Sequence, residues 1–305
     1  MKKLLFIYNP RSGKEQVKKN LSDILDTFAK AEMDITVRPT QCAKDCIEII
    51  ENRGEEFDLV VASGGDGTLN EAFNGLMALE PEKRPKFGYI PAGSTNDFAT
   101  TLGISKNPVE AAFGAVNGKE FMCDVGKATT GYFAYVCAFG IFTQVSYATP
   151  QETKNLLGHT AYILEGIKSL TNIQDYHLKV TYEDEDGCEQ VIEDDFLYGM
   201  VSNTSFVGGM NLLKQSEIDL QDGLFEVLLI KKLRNPLELQ QAINALLTKN
   251  FSKNQFYFFK SPKVSISSDE EVAWTLDGEN GGLVKDMVIE NVPSAITMKC
   301  ESKEK

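Results

Sequence analysis

Histidine is almost missing from this chain: 305 residues carry two, His159 and His177. Both lie far from every motif described below, which sets aside histidine-based proton transfer and histidine metal sites. The six cysteines, Cys42, Cys46, Cys123, Cys137, Cys188 and Cys300, include no C-x-x-C pair, so a zinc ribbon is excluded. Cys42 and Cys46 stand one helical turn apart and are expected as two small residues on a helix. No segment approaches the roughly 18 apolar residues of a membrane-spanning helix, so lipid contact would be peripheral. A G-x-S-x-G elbow is missing too, which disfavours a Ser-His-Asp hydrolase. Positive charge is in deficit, with 31 Lys and Arg against 44 Asp and Glu and a net charge of −13. That balance counts against nucleic-acid binding and against unaided adsorption to an anionic membrane. Lys231, Lys232 and Arg234 form one local basic run that would relieve it. With no signal peptide at the lysine-led N-terminus, the expected compartment is a reducing cytoplasm.

What is present begins with size: 305 residues, 42% of them hydrophobic, suffice for two domains with separate cores. The organising stretch is Asp58 to Leu76, DLVVASGGDGTLNEAFNGL. Leu59 to Ala62 form a short β-branched apolar run, suited to a strand buried on both faces of a parallel sheet. From Thr68 the apolar positions are Leu69, Ala72, Phe73 and Leu76, the spacing of one helix face. Between them the turn Ser63 to Thr68 carries Gly64, Gly65 and Gly67, expected to allow positive φ and a close backbone approach to a ligand. The first amides of a helix favour an anion, phosphate above all. Asp66 is out of place there, because a carboxylate repels phosphate unless a metal ion or a hydroxyl intervenes; its plain alternative is a helix cap.

Two further loops follow the same plan. Lys3 to Tyr8 reads as a strand running into Asn9, Pro10, Arg11, Ser12, Gly13 and Lys14, with a helical stripe beyond at Val17, Leu21, Ile24 and Leu25. Met33 to Arg38 reads as a strand leading to Thr40, and Ala43 to Asn52 as a helix, so the order is β-α-β-α-β-α, a doubly wound sheet. Phe87 to Ile90 is a fourth strand, ending at Pro91-Ala92-Gly93-Ser94-Thr95-Asn96-Asp97. Loops at the carboxyl ends of parallel strands are where such sheets bind nucleotides.

The GGDGT turn is neither a P-loop nor a dinucleotide fingerprint, since Asn70 stands where the latter needs its last glycine or alanine. GGDGT with Asn70 and Glu71 resembles the turn shared by NAD kinases, 6-phosphofructokinases and the diacylglycerol and sphingosine kinases. NPRSGK at 9 to 14, GGDGTLNE at 64 to 71 and PAGSTNDFA at 91 to 99 together resemble the diacylglycerol kinase catalytic-domain family, and within it the soluble bacterial lipid kinases. The resemblance covers essentially the whole chain. It implies an NAD kinase/phosphofructokinase-like α/β domain over residues 1–122. A β-sandwich-like acceptor domain would occupy 123–305, with contacts of the first domain returning near 290–305. It also implies ATP as phosphoryl donor, Mg2+ as cofactor, diacylglycerol as lipid acceptor and peripheral contact at the inner membrane face. Asn9, Pro10, Arg11, Ser12, Gly13, Lys14, Thr40, Gly64, Gly65, Asp66, Gly67, Thr68, Leu69, Asn70, Gly93, Ser94 and Thr95 would hold the nucleotide.

After Asn117 short strands take over at 121–127, 133–141, 176–182, 196–202, 224–230, 255–259, 263–266 and 287–289, a pattern for antiparallel β structure. Helices at 156–170 and 236–247 interrupt it, their apolar stripes expected to face the core. Phe133, Tyr135, Phe139 and Phe142 could line an apolar cavity, with core packing the stronger reading. Three carboxylate groups could carry chemistry. By resemblance Asp124, in Cys123-Asp124-Val125-Gly126 where one domain passes into the next, assists magnesium or acceptor binding. Asp219 to Leu224 places oxygen donors around a glycine turn, suiting a hard cation; by resemblance Asp222 with backbone oxygens of Asp219 and Leu224 holds a structural magnesium. Asp277-Gly278-Glu279 alone reads as a turn, and by resemblance Glu279 is the general base. Open alternatives are a different lipid alcohol (sphingosine-like, undecaprenol, phosphatidylglycerol), NAD as acceptor, or a lipid-binding regulatory protein. An exposed strand edge could pair across a homodimer.

Overall fold

The computed structural model describes residues 1–13, 16–140, 174–214, 216 and 218–301. The chain divides into two compact units, Met1–Val125 with Val292–Lys305, and Gly126–Asn291. Among the described residues no helix is long and apolar enough to cross a membrane.

The first unit alternates strands and helices: β1 (Lys2–Tyr8), α1 (Gln16–Lys19), α2 (Leu21–Lys30), β2 (Met33–Pro39), α3 (Asp45–Arg53), β3 (Leu59–Gly64), α4 (Asp66–Ala78), β4 (Lys86–Pro91), α5 (Asp97–Leu102) and α6 (Pro108–Asn117). Its strands are parallel in the order β4-β3-β1-β2, so the sheet is doubly wound about β1 and β3. All six residues of β3 are buried, which is why its sequence runs apolar without alternation. Removing Val60 and Val61 fully from water stabilises the unit by roughly 1.5–3 kcal/mol each. Phe73 of α4 packs edge-on against Phe87 of β4 and Phe98 of α5, at ring separations of 5.6 and 5.7 Å. These contacts hold the helices that follow the glycine loops against one sheet. Cys46 is buried on α3, whereas Cys42 precedes that helix and is exposed, so the expected pair of helical cysteines is reduced to one.

Two sequence expectations about the organising turn need correction. The helix begins at Asp66, two residues before the apolar stripe declares it, because a first turn is defined by its backbone rather than by buried side chains. Gly64, Gly65 and Gly67 are also outside the positive-φ residues, Gly65 lying at φ −86°. What these positions require is room, as the site geometry shows.

The second unit is antiparallel. It contains β6 (Gly131–Phe133), which pairs with the end of β5 (Lys119–Ala128), then β7 (Val136–Gly140), β8 (Tyr176–Glu183) and β9 (Glu189–Ser202). The hairpin β10 (Phe206–Val207) and β11 (Met210–Asn211) precedes β12 (Phe225–Lys231), α7 (Pro236–Thr248), β13 (Phe256–Ser261), β14 (Lys263–Leu276) and β15 (Glu279–Cys300). Its main order is β13-β12-β9-β7-β14-β15, with β8 bridging β14 and β9. The strands expected at 263–266 and 287–289 are the visible cores of β14 and β15, whose polar flanks hid their length. The last residues of β15 belong to the first unit and pair in parallel with β4, Met298 opposite Phe87. Phe133 and Phe139 are fully buried in the core cluster, Phe139 lying 5.0 Å from the Trp274 ring. Phe142, Ile141, His159 and the helix expected over 156–170 lie outside the described residues.

One buried carboxyl gives this unit a pH signature. Glu226 on β12 has a side chain with no exposed surface, beside Lys260 Nζ at 3.1 Å. Burial pushes its carboxyl from an ordinary value of 4.5 up to about 7, against the pull of Lys260. A folded pKa above the unfolded one means stability is full below pH 4.5 and declines as pH rises toward about 7. Glu226→Gln should remove that slope, worth on the order of 3 kcal/mol across the window. Urea denaturation in EDTA at pH 4.5, 5.5, 6.5 and 7.5 reads it, and parallel curves for the two proteins would refute it.

Candidate active site

In the first unit the three loops meet at the carboxyl ends of β1, β3 and β4. Asn9 N–H donates to the Ser63 carbonyl at 2.8 Å, and Ala92 N–H to the Gly64 carbonyl at 2.7 Å. Thr40 arrives beside them through its N–H on the Tyr8 carbonyl, 2.9 Å. Within the first loop, Asn9 Oδ1 accepts from Arg11 N–H at 2.9 Å and its carbonyl from Ser12 N–H at 3.2 Å, which closes a tight turn over Pro10. Lys14 lies outside the described residues.

The glycines are where the backbones touch. A Cβ on Gly13, at φ +55°, would sit 2.0 Å from the Ala92 carbonyl oxygen. One on Gly93 would sit 2.6 Å from Gly65 Cα and 2.8 Å from Asn96 Oδ1. A side chain on Gly64 would strike Thr68 Oγ1 at 2.2 Å. Three chain segments from three strands therefore pack backbone to backbone, and Gly93→Ala must prise two of them apart. That variant should lose roughly 1–3 kcal/mol of stability and bind nucleotide more weakly, measured by thermal melting and by nucleotide titration. A variant with wild-type melting and nucleotide affinity would show that the close approach is incidental.

Asp66 opens α4, where a negative charge suits the helix dipole. Its Oδ2 accepts Asn96 N–H at 2.9 Å, tying the second loop to the third. Asn96 is left-handed at φ 55°, its amide folded back on Gly93 through bonds of 2.8 Å in both directions. Ser63 Oγ donates to the Ile90 carbonyl and Tyr89 Oη to the Gly64 carbonyl, bracing β3 against β4 beneath the turn. Burial, and then the Asp66 charge, hold the Tyr89 hydroxyl well above its ordinary pKa, so it remains a neutral donor. The first intrahelical bond of α4 runs from Leu69 N–H to the Gly65 carbonyl, leaving the amides before it for an anion. Leu69 itself is fully buried, so its side chain serves the core and not a nucleotide. Thr68 is buried, Gly65, Gly67, Asn70, Gly93 and Thr95 are half-buried, and Ser94 is exposed.

Asp124 is fully buried, and its Oδ1 accepts Ser294 N–H at 2.8 Å from the returning C-terminal segment. Asp97, which stands in the PAGSTNDFA signature without an assigned role, is a second buried carboxylate of this unit, at the start of α5. Apart from that signature, its sequence signal is an acid in the first turn of a helix, shared by most helices.

In the second unit Asp277 and Gly278 form the two-residue turn between β14 and β15, at φ +52° and +83°. That is the mirror-image turn favoured by Asp-Gly in hairpins. The buried Asp277 carboxylate accepts three backbone N–H bonds, from Ala134 (2.7 Å), Tyr135 (2.9 Å) and Val136 (3.0 Å). It fixes the turn, and Glu279 leaves it exposed. At the other acidic turn, Asp219 Oδ1 accepts Gln221 N–H and Asp222 Oδ1 accepts Leu224 N–H. Asp222 Oδ2 pairs with Lys260 Nζ at 3.1 Å, so an ammonium already stands against the expected cation ligand. Among the described residues no group of three or more His, Cys, Asp or Glu could hold a metal ion. Two of the three cations of the basic run are paired: Lys231 with Asp194, and Lys232 with Asp175 and Asp195.

The chain matches two family descriptions, the diacylglycerol kinase catalytic domain over residues 3–128 and the YegS C-terminal NAD kinase beta sandwich-like domain over 136–300. A Bacillus subtilis protein named diacylglycerol kinase is 34% identical, covering 93% of this chain and 92% of its own. A Staphylococcus saprophyticus diacylglycerol kinase is 31% identical over 92% of this chain and 90% of its own. The crystal structure of a diacylglycerol kinase from Bacillus anthracis superposes with a TM-score of 0.80 at 28% identity, covering 98% of this chain and 97% of that one. The two-domain architecture expected from the loop motifs, α/β followed by β-sandwich-like, is borne out.

Proposed function

We propose that this chain, which belongs to the diacylglycerol kinase family and is a lipid kinase, transfers the γ-phosphoryl group of ATP to the free hydroxyl of diacylglycerol, giving phosphatidic acid. The observation that carries the reading is the convergence of Gly13, Gly65 and Gly93, which clears side chains from the ends of three adjacent parallel strands. Backbone amides, unencumbered by Cβ atoms, are the donors a triphosphate needs. Asn9, Pro10, Arg11, Ser12, Gly13 and Lys14 with Thr40 would seat the nucleotide, and residues 64–70 with Gly93, Ser94 and Thr95 would hold its phosphates.

Phosphoryl transfer demands alignment and charge stabilisation more than covalent chemistry, which suits a site built from glycine loops and carboxylates. Magnesium would be held by two carboxylates together with the nucleotide's phosphates rather than by a protein cage: Asp66 stands at the amides that favour phosphate, and a divalent cation would reconcile the two charges. Asp66 and Asp124 would hold it, and when bound it neutralises charge developing on the phosphates. The 219–224 turn fits a second magnesium less well, because that ion would share Asp222 with Lys260. Glu279 is assigned as general base for the acceptor hydroxyl, its carboxylate exposed on a turn that Asp277 makes rigid. Residues 1–122 would act as the nucleotide domain and 123–305 as the acceptor domain, with the segment near 290–305 returning to the first. With both lysines of its basic run paired internally, the chain would meet the membrane peripherally through the acceptor itself rather than through surface charge.

The test is transfer of label. With γ-labelled ATP, magnesium and 1,2-dioctanoylglycerol in mixed micelles, label should enter phosphatidic acid with one ADP formed per phosphatidic acid. Release of inorganic phosphate alone would refute the proposal.

A further inference from the structure

The second unit holds polar atoms that the reading above does not use. At the end of β9, Ser202, Asn203, Thr204 and Ser205 pass through the interior, each at most 1% exposed. Two of them are satisfied internally: Ser202 Oγ donates to the Glu226 carbonyl at 3.4 Å, and Thr204 Oγ1 to the Phe206 carbonyl at 3.2 Å. Asn203 Oδ1, Asn203 Nδ2 and Ser205 Oγ have no hydrogen-bond partner. Buried polar side chains are almost always satisfied, so three unmatched atoms within three residues mark a place prepared for something else.

The backbone of this stretch is firmly held. Asn203 N–H donates to the Tyr135 carbonyl at 2.9 Å, and the Ser205 carbonyl accepts Leu212 N–H at 2.9 Å. Tyr135 is the same residue whose N–H donates to Asp277 Oδ1, so it clamps both Asn203 and the turn that carries Glu279. Sheet register gives the separation. Ser202 stands opposite Val136 and Cys137 opposite Leu276, so β7 is the one strand between the end of β9 and the Asp277 turn. Two strand spacings put Asn203 about 10 Å from that turn. Met210, Leu212 and Leu213, all buried, follow the polar stretch and give it an apolar flank.

We propose that Asn203 and Ser205 recognise the headgroup of the lipid acceptor, as specificity-determining residues for a neutral glycerolipid bearing one hydroxyl and ester carbonyls. This rests on the lipid-kinase reading of the previous subsection. A carboxamide and a hydroxyl each offer a donor and an acceptor and carry no charge. Their complement is an uncharged group rich in acceptors, which the ester carbonyls of a glycerolipid are. The Asn203 amide nitrogen and the Ser205 hydroxyl are the donors for those carbonyls, which leaves the glycerol O–H to Glu279.

The assignment makes a prediction that a structural role would not. Asn203→Leu removes an unmatched buried amide while keeping its branched shape, so its melting temperature should equal or exceed that of the wild type. Acceptor affinity should fall instead. Calorimetric titration with 1,2-dioctanoylglycerol should show a Kd raised at least about tenfold, with the KM for ATP unchanged within about twofold. The preference for the diacyl acceptor over a dialkylglycerol, which lacks ester carbonyls, should shrink in the same variant. Ser205→Ala carries the same titration should the leucine variant fail to fold. Acceptor affinity within about twofold of wild type in the folded variants overturns the proposal, as does an equal loss of ATP and acceptor affinity. A wild-type protein that binds dioctanoylglycerol without phosphorylating it would sink the kinase assignment of that acceptor, while the binding isotherms would still decide the roles of Asn203 and Ser205.

Discussion

Asp66→Asn is expected to lower kcat roughly a thousandfold with the fold intact, the scale seen when a preorganised electrostatic partner of a transition state is removed. Asparagine keeps an oxygen where Oδ2 now accepts Asn96 N–H, so the joint between the second and third loops survives. What disappears is the negative charge beside the first amides of α4. Asp66→Ala should abolish transfer as well, and should also cost about 1–3 kcal/mol because the Asn96 amide loses its acceptor. The pair separates charge from architecture: activity falls in both variants and stability mainly in one. Steady-state kinetics with circular-dichroism melting reads both quantities, and wild-type turnover in either variant would remove Asp66 from the mechanism.

The second large effect is expected at Glu279. Glu279→Gln should reduce kcat by about 10²–10⁴-fold, the usual contribution of a positioned general base. Because Glu279 is exposed while Asp277 anchors the turn, its melting temperature should hardly move. The split between kcat and KM is the sharper readout: kcat should fall while the KM for the acceptor stays within about twofold. A raised KM with kcat unchanged would assign Glu279 to binding rather than to proton transfer.

These expectations show how much the sequence reveals and where it stops. The change of hydrophobic period at Gly64 to Thr68 located a strand, a turn and a helix, and the repeat of that plan at Asn9 and Gly93 located the loops that meet in space. Buried parallel strands are legible because both faces are apolar, and β3 is such a case. The conformation of the glycines was misread, since a sequence shows only that Cβ is missing; whether the gap serves positive φ or a neighbour's backbone depends on segments far along the chain. Gly93 against Gly65 is a contact of that kind. The lengths of β14 and β15 were hidden for a related reason: their exposed, charged flanks pair by backbone, which leaves no hydrophobic trace.

Within the site, local chemistry was visible and long-range pairing was not. Asp-Gly at 277–278 read as a hairpin turn and is one, yet nothing nearby in sequence announced that the Asp277 carboxylate anchors three amides some 140 residues away. Lys260, 38 residues from Asp222, likewise occupies a carboxylate that spacing alone offered to a cation. Asn203 and Ser205 carry no motif at all. What sets them apart is burial without a hydrogen-bond partner, which no local sequence pattern encodes.

The central claim, that three glycine loops deliver the terminal phosphoryl group of ATP to diacylglycerol, is tested most directly by an acceptor panel. The wild-type protein would be given γ-labelled ATP and magnesium with diacylglycerol, sphingosine, undecaprenol, phosphatidylglycerol or NAD, and kcat/KM compared across the five. The account predicts labelled phosphatidic acid, with diacylglycerol ahead of every other acceptor by at least about a hundredfold. Label in NAD, sphingosine or another alcohol with none in phosphatidic acid would contradict it.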